Sequence, residues 1–172
     1  SSSAAPLGNG TPAPGPRQSI ENVAITHDAV LVAGFDNVRG RLQRFSLSGH
    51  TWTGAPVALP LTGVITVASA DPADTHAFVT YEGFLTPQTL YALDDHASTA
   101  RSVRALTPQF DAAPYVTEQF EAISRDGTRV PYFVVHRRDM ALNGQNPTLL
   151  YAYGGFQLSQ TPGYSGFIGR LW

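Results

Sequence analysis

A chain of 172 residues, 42% of them hydrophobic, can bury one ordinary core or parts of two. Charged residues are only 14% of the chain, and 11 Lys and Arg lie scattered against 13 Asp and Glu for a net charge of -2, so there is no nucleic-acid footprint. With no cysteine there is no disulfide, no thiolate nucleophile and no thiolate metal site, and the redox compartment stays open.

Residues 1–18 hold Ser, Ala, Gly and Pro with almost nothing to bury, the composition of a linker or flexible arm. From Ile20 the pattern changes to short runs of β character at 21–26, 29–35 and 41–47, broken by His27-Asp28 and Asp36-Asn37. A second set follows at 64–70, 76–81 and 89–93. Laid over each other, the sets bring Phe35 onto Tyr81, Asp36 onto Glu82, Phe45 onto Tyr91 and Leu47 onto Leu93, each 46 positions apart (81 minus 35, and likewise for the others). A period of roughly 40 to 50 residues with about four strands per unit marks β-propeller blades. Two units cannot close a ring of ~4 to 8 blades, so a propeller would be only partly present. Its aromatic residues Phe35, Phe45, Phe78, Tyr81 and Tyr91 are expected between blades. Phe84, in the turn Glu82-Gly-Phe-Leu-Thr-Pro87, is more exposed in pattern and is expected to face a second domain.

The repeat ends at Thr107-Pro-Gln-Phe-Asp-Ala-Ala-Pro114, whose prolines disfavour helix and mark an extended connector; the boundary is set near Pro108. A hairpin follows, with strands at 116–124 and 129–137 around Asp126-Gly127, where glycine supplies the positive φ of a turn. Pro131 cannot donate to a ladder, so it belongs at an edge or a bulge. After a polar loop at 138–146, Thr148 to Tyr153 reads as a short buried strand stopped by Gly154-Gly155. That would present Tyr153 and Phe156 just past a strand's carboxyl end, where open α/β sheets hold ligands; an ordinary Gly-Gly loop with two rings packed over it has the same pattern. Phe167, Ile168, Leu171 and Trp172 then form a helical stripe capped by Ser165. The stripe has no stop signal, which implies a longer polypeptide.

Tyr153-Gly-Gly-Phe156 with Gln157-Leu-Ser-Gln-Thr-Pro-Gly-Tyr-Ser165, and Phe120-Glu-Ala-Ile-Ser-Arg-Asp-Gly-Thr-Arg-Val-Pro-Tyr-Phe-Val-Val-His136 before it, resemble the prolyl oligopeptidase family of serine peptidases. The resemblance is close from about Tyr115 to Tyr164, and within the family it is nearer to the prolyl branch than to the basic-residue or acylaminoacyl enzymes. It implies a mainly β segment: residues 19–108 as about two C-terminal blades of a β-propeller, and 109–172 as the first strands of an incomplete α/β-hydrolase domain. It also implies a peptidase that cuts short peptides after proline through an acyl-enzyme, with no cofactor. Its partners would be proline-containing peptides and the remainder of its own polypeptide.

The chemistry can be divided. A hydrolase of this type needs Gly-x-Ser-x-Gly, then an acid and a histidine. No such pentapeptide occurs; Gly163-Tyr-Ser-Gly166 lacks the second spacing. Nucleophile, acid and base are therefore not assigned in this segment, and the segment alone is expected to be inactive. The resemblance makes Tyr153 an oxyanion-hole donor, a role a phenol suits because at pKa ~10 it keeps its proton at neutral pH. Phe156 would be an aromatic wall of the substrate pocket, favouring the compact apolar ring of proline. A core tyrosine with a satisfied hydroxyl, and a phenylalanine packed on its own loop, are the structural alternatives.

Five single histidines, at 27, 50, 76, 96 and 136, show no i, i+4 pair, so no metal site is expected. No apolar run approaches the ~20 residues of a bilayer span and no signal pattern is visible, so the expectation is a soluble protein of the cytoplasm or periplasm without a membrane partner. Two other readings remain at this stage: a non-catalytic β-propeller interaction module, and an α/β hydrolase acting on esters.

Overall fold

The computed structural model describes residues 14–94, 99–156 and 159–171. Two four-stranded antiparallel sheets come first. One runs β1 (Gln18–Ile25), β2 (Ala29–Asp36), β3 (Arg39–Ser48) and β4 (Thr51–Pro56). The other runs β5 (Gly63–Ala70), β6 (Ala77–Gly83), β7 (Thr86–Leu93) and β8 (Ala100–Ala105). In both, spatial order follows chain order, the meander of a propeller blade. The outer strands β4 and β8 escape the sequence pattern because they bury almost nothing: β8 is Ala-Arg-Ser-Val-Arg-Ala with only Ala100 withdrawn from solvent. Periodicity marks a strand only where one face is covered.

The core lies between the blades. Leu31, Ala33 and Leu42 of the first meet Ile65, Ala77, Val79 and Tyr81 of the second, with Val57 and Leu93 completing the cluster and Tyr91 partly buried against it. The sheets approach closely where two glycines face: a Cβ on Gly40 would lie 2.3 Å from the carbonyl oxygen of Gly63. The aromatic residues divide differently from expectation. Tyr81 and Tyr91 serve this core, but Phe45 is buried over Gly54 of its own blade, where a Cβ would come within 2.5 Å of the ring. Phe78 is an exposed large apolar residue, because its partner strands place it on the opposite face from Ala77 and Val79.

The 46-residue offset also holds only in part. Ala33 pairs with Leu42 and Val79 with Tyr91, so β2 and β6 are offset by 46 (79 minus 33), but β3 and β7 by 49 (91 minus 42). Seven residues, 82–88, separate the pair Tyr81 and Thr89, where four, 36–39, separate Phe35 and Gly40. The equivalences Phe45 with Tyr91 and Leu47 with Leu93 are therefore displaced by three. A bulge between Tyr81 and Gly83 lies in this longer hairpin, and bulges of this kind bend a strand locally.

Residues 106–114 lead to a two-stranded sheet of β9 (Tyr115–Ile123) and β10 (Arg129–Arg137), in continuous register from Arg137 with Tyr115 to Arg129 with Ile123. Gly127 takes φ +83° in the connecting loop, and the Asp126 carboxylate accepts the Thr128 N–H at 3.0 Å. Each strand of a two-stranded sheet is an edge, which accommodates Pro131 opposite Glu121. Beyond β10 the only regular element among the described residues is α1 (Gly166–Leu171). Ser165 caps it, its hydroxyl accepting the Ile168 N–H at 3.2 Å. Phe167, Ile168 and Leu171 of the helical stripe are all exposed, and Trp172 lies outside the described residues. No described helix is long and apolar enough to cross a membrane.

Candidate active-site segment and its anchorage

The expected strand at Thr148 to Tyr153 does not form. Residues 147–154 carry no regular structure, with Leu150 88% and Tyr151 75% exposed. Extended, β-branched or aromatic residues become a strand only when another strand supplies ladder partners, and among the described residues β9 and β10 pair only with each other. The α/β-hydrolase sheet is accordingly not seen in this segment. The turn that follows departs from expectation too: Phe156, rather than either glycine, takes positive φ at +53°. For a bulky side chain this conformation costs on the order of 1–3 kcal/mol.

Gly155 has another use. A Cβ on Gly155 would lie 3.1 Å from the Tyr153 hydroxyl oxygen, so the glycine leaves the phenol room to fold back beside the backbone. Tyr153 is 47% exposed, and its hydroxyl makes no hydrogen bond to the described residues. Phe156 is 89% exposed. Neither residue lines either of two clefts present among the described residues.

Both clefts lie where the blades meet the β9–β10 hairpin. The larger, of about 700 Å3, is bounded by Asp36, Asn37, Arg39, Gly40, Arg41, Pro56 and Leu61 on the blade side and by Gln119, Phe120 and Glu121 of β9. Its rim is polar. The turn residues Asn37 and Val38 have φ +49° and +66°, the values of a two-residue hairpin loop. Asn37 offers its carbonyl to the Gln119 amide at 2.6 Å and donates its own amide to Glu121 at 3.2 Å. Arg39 donates to Gln119, and Arg17 pairs with Glu121, which also accepts from Arg129 at 3.1 Å. The Arg129 guanidinium, and then that of Arg17, hold the Glu121 carboxyl below its usual range.

The second blade reaches the same hairpin through an aromatic ring. Phe84 meets Phe133 of β10 edge-on at 5.6 Å. The neighbouring smaller cleft, about 180 Å3, is lined by Tyr81, Phe84, Leu85, Tyr115, Thr117 and Arg138 among others.

A further set of contacts ties down the chain after the Tyr153 segment. The Glu82 carboxylate accepts the Tyr164 N–H at 2.8 Å. The Tyr164 ring stacks on Phe110 at 5.3 Å, and its hydroxyl accepts the Gln109 N–H at 2.7 Å. Arg170 donates to the Gln109 carbonyl at 2.9 Å. Helix α1 can approach because it turns glycines to the connector: a Cβ on Gly166 would meet the Gln109 amide at 1.9 Å, and one on Gly169 the Phe110 ring at 2.1 Å. Sequence reading missed Glu82, Gln109, Phe110 and Tyr164 as a group. The sequence pattern carried no signal of them, because the constant 46-residue offset hides the extra length of the turn 82–87.

Among the described residues no group of three or more His, Asp or Glu could hold a metal ion. The imidazole of His136 faces two acceptors, the Glu118 carboxylate at Nε2 and the Arg137 carbonyl at Nδ1, each at 2.7 Å. Glu118 above all raises its pKa.

Residues 14–105 match the family model for the prolyl oligopeptidase N-terminal β-propeller domain. An uncharacterized peptidase of Sinorhizobium fredii is 37% identical over 92% of this chain and 22% of its own length. A prolyl endopeptidase of Elizabethkingia miricola is 26% identical over 67% of this chain and 16% of its own. Among solved structures, a post-proline cleaving enzyme from Rickettsia typhi superposes with a TM-score of 0.74 at 33% identity, covering 92% of this chain and 23% of that one. The chain thus spans about a fifth of the length of the curated relatives it matches.

Proposed function

The chain belongs to the prolyl oligopeptidase family, and from that premise we propose that it is the part of a serine peptidase where propeller blades lead into the peptidase domain. The whole enzyme hydrolyses short peptides on the carboxyl side of proline. The observation that carries this reading is the order of parts: two blades, a connector at 106–114, the hairpin of β9 and β10, and then Tyr153-Gly-Gly-Phe156. The names of the Elizabethkingia and Rickettsia relatives support the preference for proline.

In acyl transfer the attacked carbonyl oxygen gains negative charge, and a donor held ~2.7–3.1 Å from its final position stabilises the transition state over the ground state. Tyr153 supplies that donor. Its hydroxyl is partly exposed and not committed to any described residue, so it is available to an incoming oxyanion. Gly155, by leaving space for the phenol, lets the donor lie close to the main chain. Phe156 supplies an apolar ring for the proline side chain, and its exposure and left-handed backbone fit a residue turned away from its own loop toward a ligand. The propeller limits access to the site, and the nucleophile, acid and base belong to the rest of the polypeptide.

The test is labelling of the full-length protein with a fluorophosphonate, together with cleavage of a chromogenic peptide carrying proline before the reporter. Labelling with proline-dependent cleavage is the expected result. A protein that neither labels nor cleaves would leave the blades as an interaction module and end the peptidase reading.

A further inference from the structure

Tyr164, eleven residues after Tyr153 in the chain, is anchored by the propeller. Residues 147–154 and Phe156 are exposed, but Pro162 is fully buried and Tyr164 half-buried. Burial resumes there because Glu82, in the lengthened hairpin of the second blade, accepts the Tyr164 N–H at 2.8 Å, while Gln109 and Phe110 of the connector hold the Tyr164 hydroxyl and ring. An ionised carboxylate on a backbone N–H makes a shorter, stronger bond than a neutral pair. Holding a chain at one more point along its length removes many of the positions open to the stretch leading up to that point.

We infer that Glu82 is a positioning residue for the oxyanion donor, acting from the propeller through the backbone of Tyr164. The inference rests on the oxyanion role proposed for Tyr153. It adds that the blade takes part in the chemistry by setting where the Tyr153 hydroxyl waits, beyond limiting access. A donor displaced by about 1 Å can cost up to ~100-fold in rate, so an anchor several residues away has room for a measurable effect.

The experiment measures kcat and KM of the full-length enzyme on a proline-chromogenic peptide for Glu82→Ala, Glu82→Gln, Tyr153→Phe and the Glu82→Ala/Tyr153→Phe pair. Glu82→Ala is expected to lower kcat about tenfold with little change in KM. Glu82→Gln keeps an acceptor oxygen and restores most of the loss. In the Tyr153→Phe background, Glu82→Ala should change kcat less than about twofold, because the group it positions is already gone. Equal losses in both backgrounds would mean a general structural effect and overturn the inference, as would no loss in either. Tyr153→Phe with an unchanged kcat brings down the oxyanion reading itself, a separate and recognisable outcome. Should Glu82→Ala fail to fold, Glu82→Asp takes its place: one methylene shorter, it draws the carboxylate away from the Tyr164 N–H, and the same dependence on Tyr153 is expected, with equal losses in both backgrounds again overturning the inference.

Discussion

Phe84, at the tip of the second blade's hairpin, meets Phe133 of β10 with ring centroids 5.6 Å apart and planes at 61°. This contact joins two elements that lie on either side of the connector and share no ladder. The corresponding tip of the first blade makes the equivalent junction with polar groups, Asn37 and Arg39 against Gln119 and Glu121. One hairpin is thus held to both blades, by an apolar contact at one and hydrogen bonds at the other. Substituting each ring by leucine, singly and together, should reveal a coupling of about 0.5–1.5 kcal/mol in thermal unfolding, the usual value for an edge-on aromatic pair. Strictly additive effects would show that the rings are mere neighbours.

Tyr153→Phe removes one oxygen and leaves the ring. If that oxygen stabilises charge in the transition state, kcat of the full-length enzyme falls by roughly 100- to 1000-fold, equivalent to about 2.7–4 kcal/mol, and KM moves far less. Steady-state kinetics on a proline-chromogenic peptide decide the matter, and an unaltered kcat removes Tyr153 from the mechanism.

Gly169→Ala sets two effects against each other. Alanine in place of glycine within a helix gains up to ~1 kcal/mol. Here the new methyl would lie 2.1 Å from the Phe110 ring, which is itself stacked on Tyr164 and has little freedom to move. Overpacking of this kind costs about 1–3 kcal/mol, so the substitution should destabilise the dock between α1 and the connector. A lowered melting temperature is the readout; a raised one would mean that the helix stands clear of Phe110.

His136 gives the β9–β10 hairpin a pH dependence. With Glu118 and the Arg137 carbonyl both accepting, the doubly protonated ring is the one the geometry favours, and its pKa lies above the ordinary 6.5. A group whose pKa is raised by folding contributes stability that is fully present below about pH 6.5 and is lost as pH rises through the folded value. Hydrogen exchange across the hairpin should therefore quicken in that window beyond its intrinsic rate. Glu118→Gln should return the His136 titration, followed by NMR, toward 6.5. A titration unmoved by that change would mean that the pair does not form in solution.

How much of this could be read from the chain alone differs from element to element. The inner strands of both blades were legible because one face of each is buried, so Leu31 and Val79 each stand between less buried neighbours. The turn at Asp126-Gly127 was legible because glycine alone takes +83° there at no steric cost. The cap at Ser165 was also legible, since capping is set within three residues. Local sequence determines such features because the forces that make them act between near neighbours.

Other features depend on partners that periodicity does not name. Residues 149–152 have the composition of a strand and no strand beside them, and Phe78 has that of a core residue but faces outward. The three-residue slip between β3 and β7 follows from how far one hairpin extends, which the spacing of aromatic residues does not record. The family motif singled out Tyr153 and Phe156, but it said nothing of what holds them. Glu82 and Tyr164 stand 82 positions apart, and only the folded backbone puts the carboxylate of one within 2.8 Å of the other's N–H. Sequence determined which stretches can pair, turn and cap; tertiary structure decided which of them found a partner, because a hydrogen bond or a buried face requires a second surface, and that surface is not tied to any nearby position in the chain.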